Sequence, residues 1–428
     1  MSEKHFNQEA GKETLRWYSK NVLRCCVLVV IFSAHFGYAQ TLDSLDLKIG
    51  QMIMIGLPKA EVDTAVLLEV QTGKAGSIIL FEKNIPKTNS FAGLKKIVWT
   101  YQKAATIPLF LGIDQEGGKV NRLKEKYGFP RSISAAAMGR SKGLDSVRFY
   151  SESTASTLAG LGFNVNFAPV VDLAVNPENT VIVKVERSFS AQEDTVVMMA
   201  KEFIKQHRKY RVITVLKHFP GHGSSREDTH FGIADVTNTW SERELKPYKA
   251  LLDSGYADAV MTSHIVNRKL DNRAYPGTLS NRVMDSLLRK GMGYNGVIFS
   301  DDMQMNAIAK QYGLEESIKL SINAGVDILC FSNNIHTTEE RTVDKVHSII
   351  RHFVETGDIK MERIDESYRR IMKLKSGLTS GEAESYRQQL KEAEAQIKIL
   401  KNQNAQLKKQ GAPQKEEGEK PLKKKKKS

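Results

Sequence analysis

The chain has 428 residues, of which 41% are hydrophobic, enough for one large domain or two domains of ordinary size. Its net charge is +14, and the lysine run Lys423–Lys427 supplies part of that charge. Three cysteines are present, two of them in the N-terminal region and one, Cys330, in the body. This composition excludes a small disulfide-stapled domain.

The N-terminal region has the features of a secretory signal. Lys20 and Arg24 precede an apolar run, Cys25–Ser33, and small residues stand in Gly37-Tyr38-Ala39 at the positions that a signal peptidase reads. We therefore expect residues 1–39 to be a signal peptide cleaved before Gln40, and the mature protein to be periplasmic or secreted. An uncleaved membrane anchor is the alternative, although the apolar run is short for a spanning helix.

Eight short apolar runs recur along the body, with amphipathic, helix-like segments between them. The runs are Gln51–Leu57, Gly76–Phe81, Pro108–Asp114, Phe163–Asp172, Val212–His218, Ala257–His264, Gly296–Asp301 and Val326–Phe331. Strands that alternate with helices pair in parallel, and eight such units predict an α/β fold, a (β/α)8 TIM-like barrel over residues 40–378. A doubly wound sheet would need a glycine-rich phosphate loop after an early strand, and the sequence has none. A last helix from Met361 to about Leu374 should end at Gly377.

The composition changes after the predicted barrel. Over residues 384–410 apolar residues repeat every seven positions, which predicts a short coiled coil. Asn404 at a seam position favours a parallel homodimer, and a solitary charged helix is the alternative. Residues 411–428 should be a disordered, lysine-rich tail. The tail would contact anionic envelope polymer or lipid, or nothing in particular, and a secreted chain is not expected to bind nucleic acid.

Polar residues follow four of the predicted strands. They are Asp114-Gln115-Glu116-Gly117-Gly118, Lys217-His218, Ser263-His264 and Ser300-Asp301-Asp302. The active site of such a barrel lies at the C-terminal ends of its strands. One polar strand end can be a helix cap, but four together indicate a site.

The fifth run leads into the loop Lys217–His230, which contains three histidines and two carboxylates. Asp228 and His230 are two residues apart, so in an extended segment their side chains leave the same face. A carboxylate that orients an imidazole makes His230 a candidate proton shuttle. A zinc site is the alternative, but the spacing of the histidines fits no compact zinc pattern and Lys217 would oppose a cation. We expect no metal and no cofactor.

Asp301 stands where the seventh run ends, so its carboxylate should point into the mouth of the barrel. A carboxylate nucleophile and a proton donor are the minimum for breaking a glycosidic bond with retention of configuration. The usual donor is a second carboxylic acid. His230, held by Asp228, would take that place here.

The sequence resembles glycoside hydrolases of family 3, specifically the single-domain β-N-acetylglucosaminidases. The stretches that carry the resemblance are Ile113–Arg122, Asn166–Asp172, Glu186–Phe189, Lys217–His230 and Phe299–Asp302. The chain departs from the family pattern at three positions, with Lys119 where arginine is usual, Asn121 where glutamine is usual, and Val183 where glycine is frequent. No departure removes a catalytic group.

The resemblance implies a role for each matching residue. Asp301 would be the nucleophile, His230 the general acid/base and Asp228 its partner. The sugar hydroxyls would be bound by Asp114, Arg122, Arg187, Lys217, His218 and His264. His264 has a structural role as an equal alternative, and Asp302 and His222 are expected to be structural.

The function implied is that of a retaining exo-glycosidase. It would remove terminal non-reducing N-acetyl-β-D-glucosamine from peptidoglycan or chitin-type fragments, an amino-sugar glycan substrate. A β-glucosidase or another exo-glycosidase on the same barrel is one alternative, and a non-catalytic carbohydrate-binding scaffold is another. Phosphate in place of water as the acceptor also stays open.

Overall fold

The computed structural model describes residues 44–226, 232–333 and 342–379. Eight parallel strands close into a barrel in the order β1-β10-β9-β7-β5-β4-β3-β2, and β6 and β8 form a separate parallel pair. The strands are β1 (Ile53–Gly56), β2 (Ser77–Leu80), β3 (Phe110–Ile113), β4 (Val165–Asn166), β5 (Ile213–Phe219), β6 (Ala234–Asp235), β7 (Ala259–Thr262), β8 (Ile265–Val266), β9 (Val297–Asp302) and β10 (Ile328–Phe331).

This architecture confirms the predicted (β/α)8 barrel, because each of the eight apolar runs overlaps one barrel strand, and β5 and β9 extend one residue beyond their runs. The run Phe163–Asp172 gives the shortest strand of the barrel, the two residues of β4. Its continuation includes Pro169, which has no N–H to donate to a neighbouring strand. The additional pair formed by β6 and β8 was not predicted.

Helices surround the barrel. They are α1 (Ser44–Gln51), α2 (Thr64–Gln71), α3 (Ser90–Ala104), α4 (Ala135–Arg140), α5 (Asp145–Leu161), α6 (Glu193–Lys209), α7 (Lys246–Asp253), α8 (Asn306–Ala324, kinked at Gly313), α9 (Thr342–Thr356) and α10 (Met361–Thr379). A π-helical segment, Arg282–Gly291, replaces an α-helix between β8 and β9, and short 3-10 turns cover Glu82–Asn84, Glu125–Tyr127, Glu242–Leu245 and Gly277–Leu279.

The predicted end of the last helix at Gly377 was wrong. Helix α10 continues through this glycine to Thr379. A glycine inside a helix costs only about 1 kcal/mol relative to alanine, and it ends a helix when it adopts a left-handed conformation. Gly377 is not among the glycines with positive φ.

Local sequence accounts for several helix ends. The Asp63 side chain caps α2 by accepting hydrogen bonds from Ala65 N and Val66 N, both at 3.0 Å. Helix α6 begins with two acidic residues and ends with His207, Arg208 and Lys209, which matches its macrodipole.

Aromatic rings fill the inside of the barrel. The ring of Phe299 lies edge-on to Phe110 and Phe167, with centroid separations of 6.0 and 5.4 Å. Gly112 makes room for one of these rings, since a Cβ there would lie 2.7 Å from Phe167 Cε2. The interior is therefore a packed core that supports the strand ends above it.

A single carboxylate organises the opposite, N-terminal end of the barrel. Asp327 is fully buried and accepts hydrogen bonds from Arg289, Arg363 and Arg370, at 2.6, 2.9 and 3.3 Å. Ile298 N at the start of β9 also donates to it, at 3.0 Å. We call Asp327 and its three arginines the base cluster.

A buried lysine lies at the same end. Lys375 Nζ of α10 donates to Gln51 Oε1 at 2.6 Å and to Gly76 O at 2.8 Å, and it lies 4.9 Å from the centroid of the Phe110 ring. Burial lowers the pKa of Lys375 from 10.5 to about 7.

The predicted signal peptide 1–39, coiled coil 384–410 and tail 411–428 lie outside the described residues and stay predictions. Within the three described ranges, no helix combines the length and the apolar character that a membrane span requires.

Candidate active site

The polar residues at the C-terminal ends of β3, β5 and β9 lie at the same end of the barrel. Asp114 comes directly after β3, Lys217 and His218 lie near the end of β5, and Asp301 and Asp302 end β9. All barrel strands are parallel, so these side chains share its C-terminal mouth. This is the position expected of an active site.

Two carboxylates and two cations form a connected ion network at the mouth. Lys217 Nζ lies 2.8 Å from Asp114 Oδ1 and 2.6 Å from Glu116 Oε1. Arg187 binds the same Glu116 through two parallel hydrogen bonds, both 2.8 Å long. We call Asp114, Glu116, Lys217 and Arg187 the mouth cluster.

The charges of the mouth cluster stabilise one another. Burial opposes the charged form of Glu116, but Arg187 and Lys217 outweigh it and hold the pKa of this carboxyl well below its ordinary value. Burial likewise opposes the charge of Arg187, and Glu116 outweighs it and raises the pKa of the guanidinium. Glu116 and Arg187 therefore both stay charged at neutral pH.

Asp114 and Arg122 are the more accessible members of this region. The Asp114 side chain is 16% exposed and the Arg122 side chain 26%, against 2% for Lys217. Arg122 Nη2 lies 3.6 Å from Asp114 Oδ2, too far for a hydrogen bond, and the guanidinium packs 5.7 Å from the Phe81 ring centroid. Both side chains can therefore still form hydrogen bonds with a ligand.

His218 is fixed in one tautomer by its partners. Its Nε2 lies 3.1 Å from Arg187 Nη2, and because a guanidinium only donates, Nε2 must accept. Nδ1 then carries the proton and donates to Asp172 Oδ2 at 2.7 Å. Burial opposes the charged form of Asp172, but its contacts with His218 and His222 hold the pKa of this carboxyl below its ordinary value.

Two backbone N–H groups in residues 221–226, the first part of the loop after β5, are bound by buried carboxylates. His222 N donates to Asp172 Oδ1 at 2.8 Å, and Gly223 N donates to Glu244 Oε2 at 2.8 Å. Burial raises the pKa of Glu244 from 4.5 to about 7. Burial lowers the pKa of His222 to about 4, and its Nδ1 hydrogen-bonds Ser225 Oγ, which fits the structural role expected of it.

Asn179 joins this loop to the segment that carries Arg187. Its Nδ2 donates to the carbonyls of His222 and Gly223, at 2.8 and 3.1 Å. Its Oδ1 accepts from Val181 N and Ile182 N, at 2.9 and 2.7 Å. The side chain is fully buried, so one amide holds both loops.

Asp301 and Asp302 have different surroundings at the end of β9. Asp302 accepts hydrogen bonds from the backbone and hydroxyl of Ser332 and from Gln304 N, so its carboxylate is bound to the protein on both oxygens. Burial raises the pKa of Asp302. Asp301 Oδ1 accepts from Asp302 N at 2.8 Å.

The buried thiol of Cys330 lies in β10, the strand beside β9 in the barrel. Burial, followed by the charges of Asp302, Asp301 and Asp114, raises the pKa of Cys330 well above its ordinary value. Cys330 is a buried free cysteine that packs as a small hydrophobe.

The family follows from comparison with known proteins. Residues 44–374 match the model of the glycosyl hydrolase family 3 N terminal domain. The chain belongs to glycosyl hydrolase family 3. The predicted family is thereby confirmed, and so is the prediction of a glycoside hydrolase.

Curated relatives of this family 3 chain are named as hexosaminidases. It is 31% identical to a β-hexosaminidase of Tolumonas auensis, over 66% of this chain and 83% of the relative. It is 30% identical to the β-hexosaminidase LpqI of Mycobacterium tuberculosis, over 77% and 82%. It is also 30% identical to β-hexosaminidase A of Pseudoalteromonas piscicida over 72% of this chain, but the match spans only 54% of that longer relative.

Solved structures agree with the fold and the family. A family 3 β-N-acetylglucosaminidase from Paenibacillus superposes with a TM-score of 0.72 and 30% identity, over 82% of this chain and 68% of the other. A β-N-acetylhexosaminidase from Beutenbergia cavernae superposes with a TM-score of 0.69 and 26% identity, over 79% and 100%.

The structure brings together five of the predicted site residues of this family 3 chain. Asp114, Arg122, Lys217, Arg187 and His218 are linked by successive contacts. His230, the expected general acid/base, and its expected partner Asp228 lie outside the described residues.

His264 and His218, both predicted to bind sugar, use their ring nitrogens in contacts with protein groups. His264 is fully buried, and its ring nitrogens bond Thr278 Oγ1 at 2.8 Å and Asp302 O at 3.0 Å. That geometry favours the structural alternative for His264. Both ring nitrogens of His218 are also engaged by protein groups.

Three functional side chains were missed in the sequence. Glu116 lies two residues after Asp114 and Asp172 ends the fourth apolar run, so both stood in stretches that carried the resemblance. Asn179 lies in a loop with no pattern to mark it. Among the described residues, no group of three histidine, cysteine, aspartate or glutamate side chains is arranged to hold a metal ion.

Proposed function

We propose that the chain is a retaining β-N-acetylhexosaminidase that removes terminal N-acetyl-β-D-glucosamine from the non-reducing ends of glycans. The names of its relatives support this activity. The observation that carries the proposal is the position of Asp301, at the end of β9 and at the same mouth as the mouth cluster.

Substrate binding follows from the groups at the mouth. Sugar hydroxyls both donate and accept hydrogen bonds, and charged partners make the stronger ones. Asp114 Oδ2 would accept from a hydroxyl, and Arg122 would donate to one. Lys217 uses two of its three N–H groups on Asp114 and Glu116, which leaves one for a sugar oxygen.

The first chemical step forms a glycosyl-enzyme. A carboxylate oxygen of Asp301 attacks the anomeric carbon while the bond from that carbon to the leaving oxygen breaks. The leaving oxygen takes the electron pair and receives a proton from His230, which Asp228 orients.

The second step releases the sugar. Water attacks the anomeric carbon, His230 accepts the proton of that water, and the bond to Asp301 breaks with the electron pair returning to the carboxylate. Two displacements at one carbon retain its configuration.

The biological substrate and location belong to the same proposal. A signal peptide over residues 1–39 would direct the enzyme to the periplasm or outside the cell, where peptidoglycan and chitin-type fragments occur. A coiled coil over residues 384–410 would make it a homodimer, and the lysine tail would add weak contact with anionic envelope polymer.

The deciding experiment compares the protein with Asp301→Asn. The variant should release nitrophenol from nitrophenyl N-acetyl-β-glucosaminide roughly 10⁴-fold more slowly, the scale seen when one member of a catalytic set is removed. Asp253→Asn, which removes an exposed carboxylate on α7, is the matched control and should keep full activity. Full activity in Asp301→Asn would reject Asp301 as the nucleophile, and activity only on glucosides would favour the β-glucosidase alternative.

The role of His230 has its own test. His230→Ala should slow substrates with poor leaving groups far more than nitrophenyl substrates, because only the former need protonation. Equal slowing of both would remove His230 from the role of proton donor.

A further inference from the structure

Three fully buried side chains form a hydrogen-bonded chain behind the end of β9. Asp301 N donates to Thr262 Oγ1 at 3.2 Å, and that hydroxyl lies 2.6 Å from Thr278 Oγ1. Thr278 Oγ1 lies 2.8 Å from His264 Nδ1, and His264 Nε2 lies 3.0 Å from Asp302 O. This series of hydrogen bonds begins at the backbone N–H of Asp301 and ends at the backbone carbonyl of Asp302. We call Thr262, Thr278 and His264 the relay.

Donors and acceptors along the relay can be assigned in order. A backbone N–H only donates, so Thr262 Oγ1 accepts from Asp301 N. Either hydroxyl can donate in the contact between Thr262 and Thr278, and Thr262 is the donor when Thr278 gives its hydrogen to His264. Thr278 then donates to His264 Nδ1, and the Nε2–H of the neutral ring donates to the strand carbonyl. If Thr278 donated to Ser263 O instead, at 3.1 Å, a neutral ring would turn the lone pair of Nε2 toward that carbonyl.

The relay acts on the carboxylate of Asp301 through the backbone. It holds the peptide groups on both sides of the Asp301–Asp302 unit. The peptide between them supplies the N–H that donates to Asp301 Oδ1 at 2.8 Å. Fixing the flanking peptides therefore fixes the direction of this carboxylate.

We propose that His264, Thr278 and Thr262 are positioning residues that aim Asp301 at the anomeric carbon, and that none of them contacts the sugar. This inference rests on the proposed role of Asp301 as the nucleophile. Neighbouring contacts keep the strand itself in place, because Ser332 and Gln304 hold the Asp302 side chain separately. Loss of the relay should therefore misdirect one carboxylate without unfolding the barrel.

A matched pair of variants tests the relay. Thr278→Val keeps the shape of the side chain and removes the hydroxyl, whereas Thr278→Ser keeps the hydroxyl. A misplacement of about 1 Å can cost about a hundredfold in rate. Thr278→Val should lower kcat on nitrophenyl N-acetyl-β-glucosaminide by about 10- to 100-fold with KM within about threefold of the original, and Thr278→Ser should restore most of the loss.

Two further measurements separate positioning from other roles. The loss in Thr278→Val should be the same for good and poor leaving groups, because a misdirected nucleophile slows attack whatever leaves. Thr214→Val removes another fully buried strand hydroxyl, one that bonds Asp258 at 2.7 Å, and it should leave kcat unchanged.

The outcomes are distinguishable. A normal kcat in Thr278→Val, with Asp301→Asn inactive, would overturn the relay and leave the proposed function intact. A raised KM with normal kcat would make the relay part of sugar binding and overturn its positioning role. If Thr278→Val does not fold, Thr262→Val beside Thr262→Ser gives the same test from the other end of the relay, since the Thr262 hydroxyl receives Asp301 N.

Discussion

The two ends of the barrel hold ionic clusters that differ in how fully their carboxylates are satisfied. At the base, Asp327 receives five hydrogen bonds, from three arginines, Ser367 and Ile298 N. At the mouth, Asp114 receives one strong hydrogen bond, from Lys217, and a longer contact from Arg122. Among the described residues, Asp114 Oδ2 therefore keeps its capacity to accept.

This difference in unused hydrogen-bonding capacity indicates that the base cluster stabilises the fold and that the mouth cluster can also bind a ligand. A carboxylate has about four acceptor positions, and those of Asp327 are used by the protein itself. The mouth cluster is charged and ordered, yet part of its hydrogen-bonding capacity is unused. Residue type alone does not distinguish the two clusters, whereas the count of unused positions does. The predictions below test that division.

The largest expected effect is the pH dependence of stability from Lys375 at the base. Its pKa is about 7 when folded and 10.5 ordinarily, so between these values the unfolded chain holds a proton that the folded chain has released. Stability should therefore rise as pH increases from 7 to 10.5, by about 5 kcal/mol at about 1.4 kcal/mol per unit. Denaturant unfolding of the protein and of Lys375→Met across this window measures the difference.

Lys249→Met, which removes an exposed lysine, should leave the slope unchanged. A parallel pH profile for the protein and Lys375→Met would mean that Lys375 does not titrate in this range.

Asp327→Asn should be next in size. The change removes the buried carboxylate that three arginines share and leaves only Glu366, at 3.5 and 3.6 Å, beside two of them. Breaking a buried ion pair in this way costs about 3–5 kcal/mol. Turnover per folded molecule should not change, because the base lies at the opposite end from the mouth. Asp285→Asn, whose partner Lys290 is exposed, is the control for stability. A reduced kcat in folded Asp327→Asn would contradict the division of labour.

Glu244 should give a pH dependence of the opposite sign at the mouth end. Its pKa is about 7 when folded and 4.5 ordinarily, so between these values the folded chain holds a proton that the unfolded chain has released. Stability should fall as pH rises from 4.5 to 7, by about 3 kcal/mol. Glu244→Gln should flatten this part of the profile, whereas Glu242→Gln on the same 3-10 turn should not. A profile that keeps its slope in Glu244→Gln would assign the effect to another group.

Glu116→Gln should have the smallest free-energy effect of these four changes, and this effect should appear in activity. It removes the charge that holds Lys217 and Arg187 together, and we expect kcat/KM to fall about a hundredfold, or about 2.7 kcal/mol of transition-state stabilisation. Glu125→Gln, an exposed neighbour along the chain, is the control. Unchanged kcat/KM with a large loss of stability would place the mouth cluster in the same class as the base cluster.

The fold could be predicted from the sequence because strands such as β1, β2 and β3 are buried throughout and read as mainly apolar runs. The extra pair of β6 and β8 could not, since both strands lie outside the eight apolar runs. Gly377 was misread because a helix tolerates glycine when tertiary contacts continue beyond it.

The site residues that lie at the C-terminal ends of strands, such as Asp114 and Lys217, could be predicted from the sequence. The side chains that support the site were harder to predict, because their hydrogen-bond partners are remote in sequence. Asn179 meets His222 across 43 residues, and His264 meets Asp302 across 38. Such pairs follow from strand order in the closed barrel rather than from local spacing.

The amide of Asn179 has a consequence for local opening. It receives the N–H groups of Val181 and Ile182 and gives its own to the carbonyls of His222 and Gly223. The two bonds from Nδ2 join the segments, so opening of either segment breaks them and the stabilities of the two should be coupled. Hydrogen–deuterium exchange at Val181 and Ile182 should then speed up whenever the loop after β5 is destabilised, and bound sugar should slow exchange in both segments together.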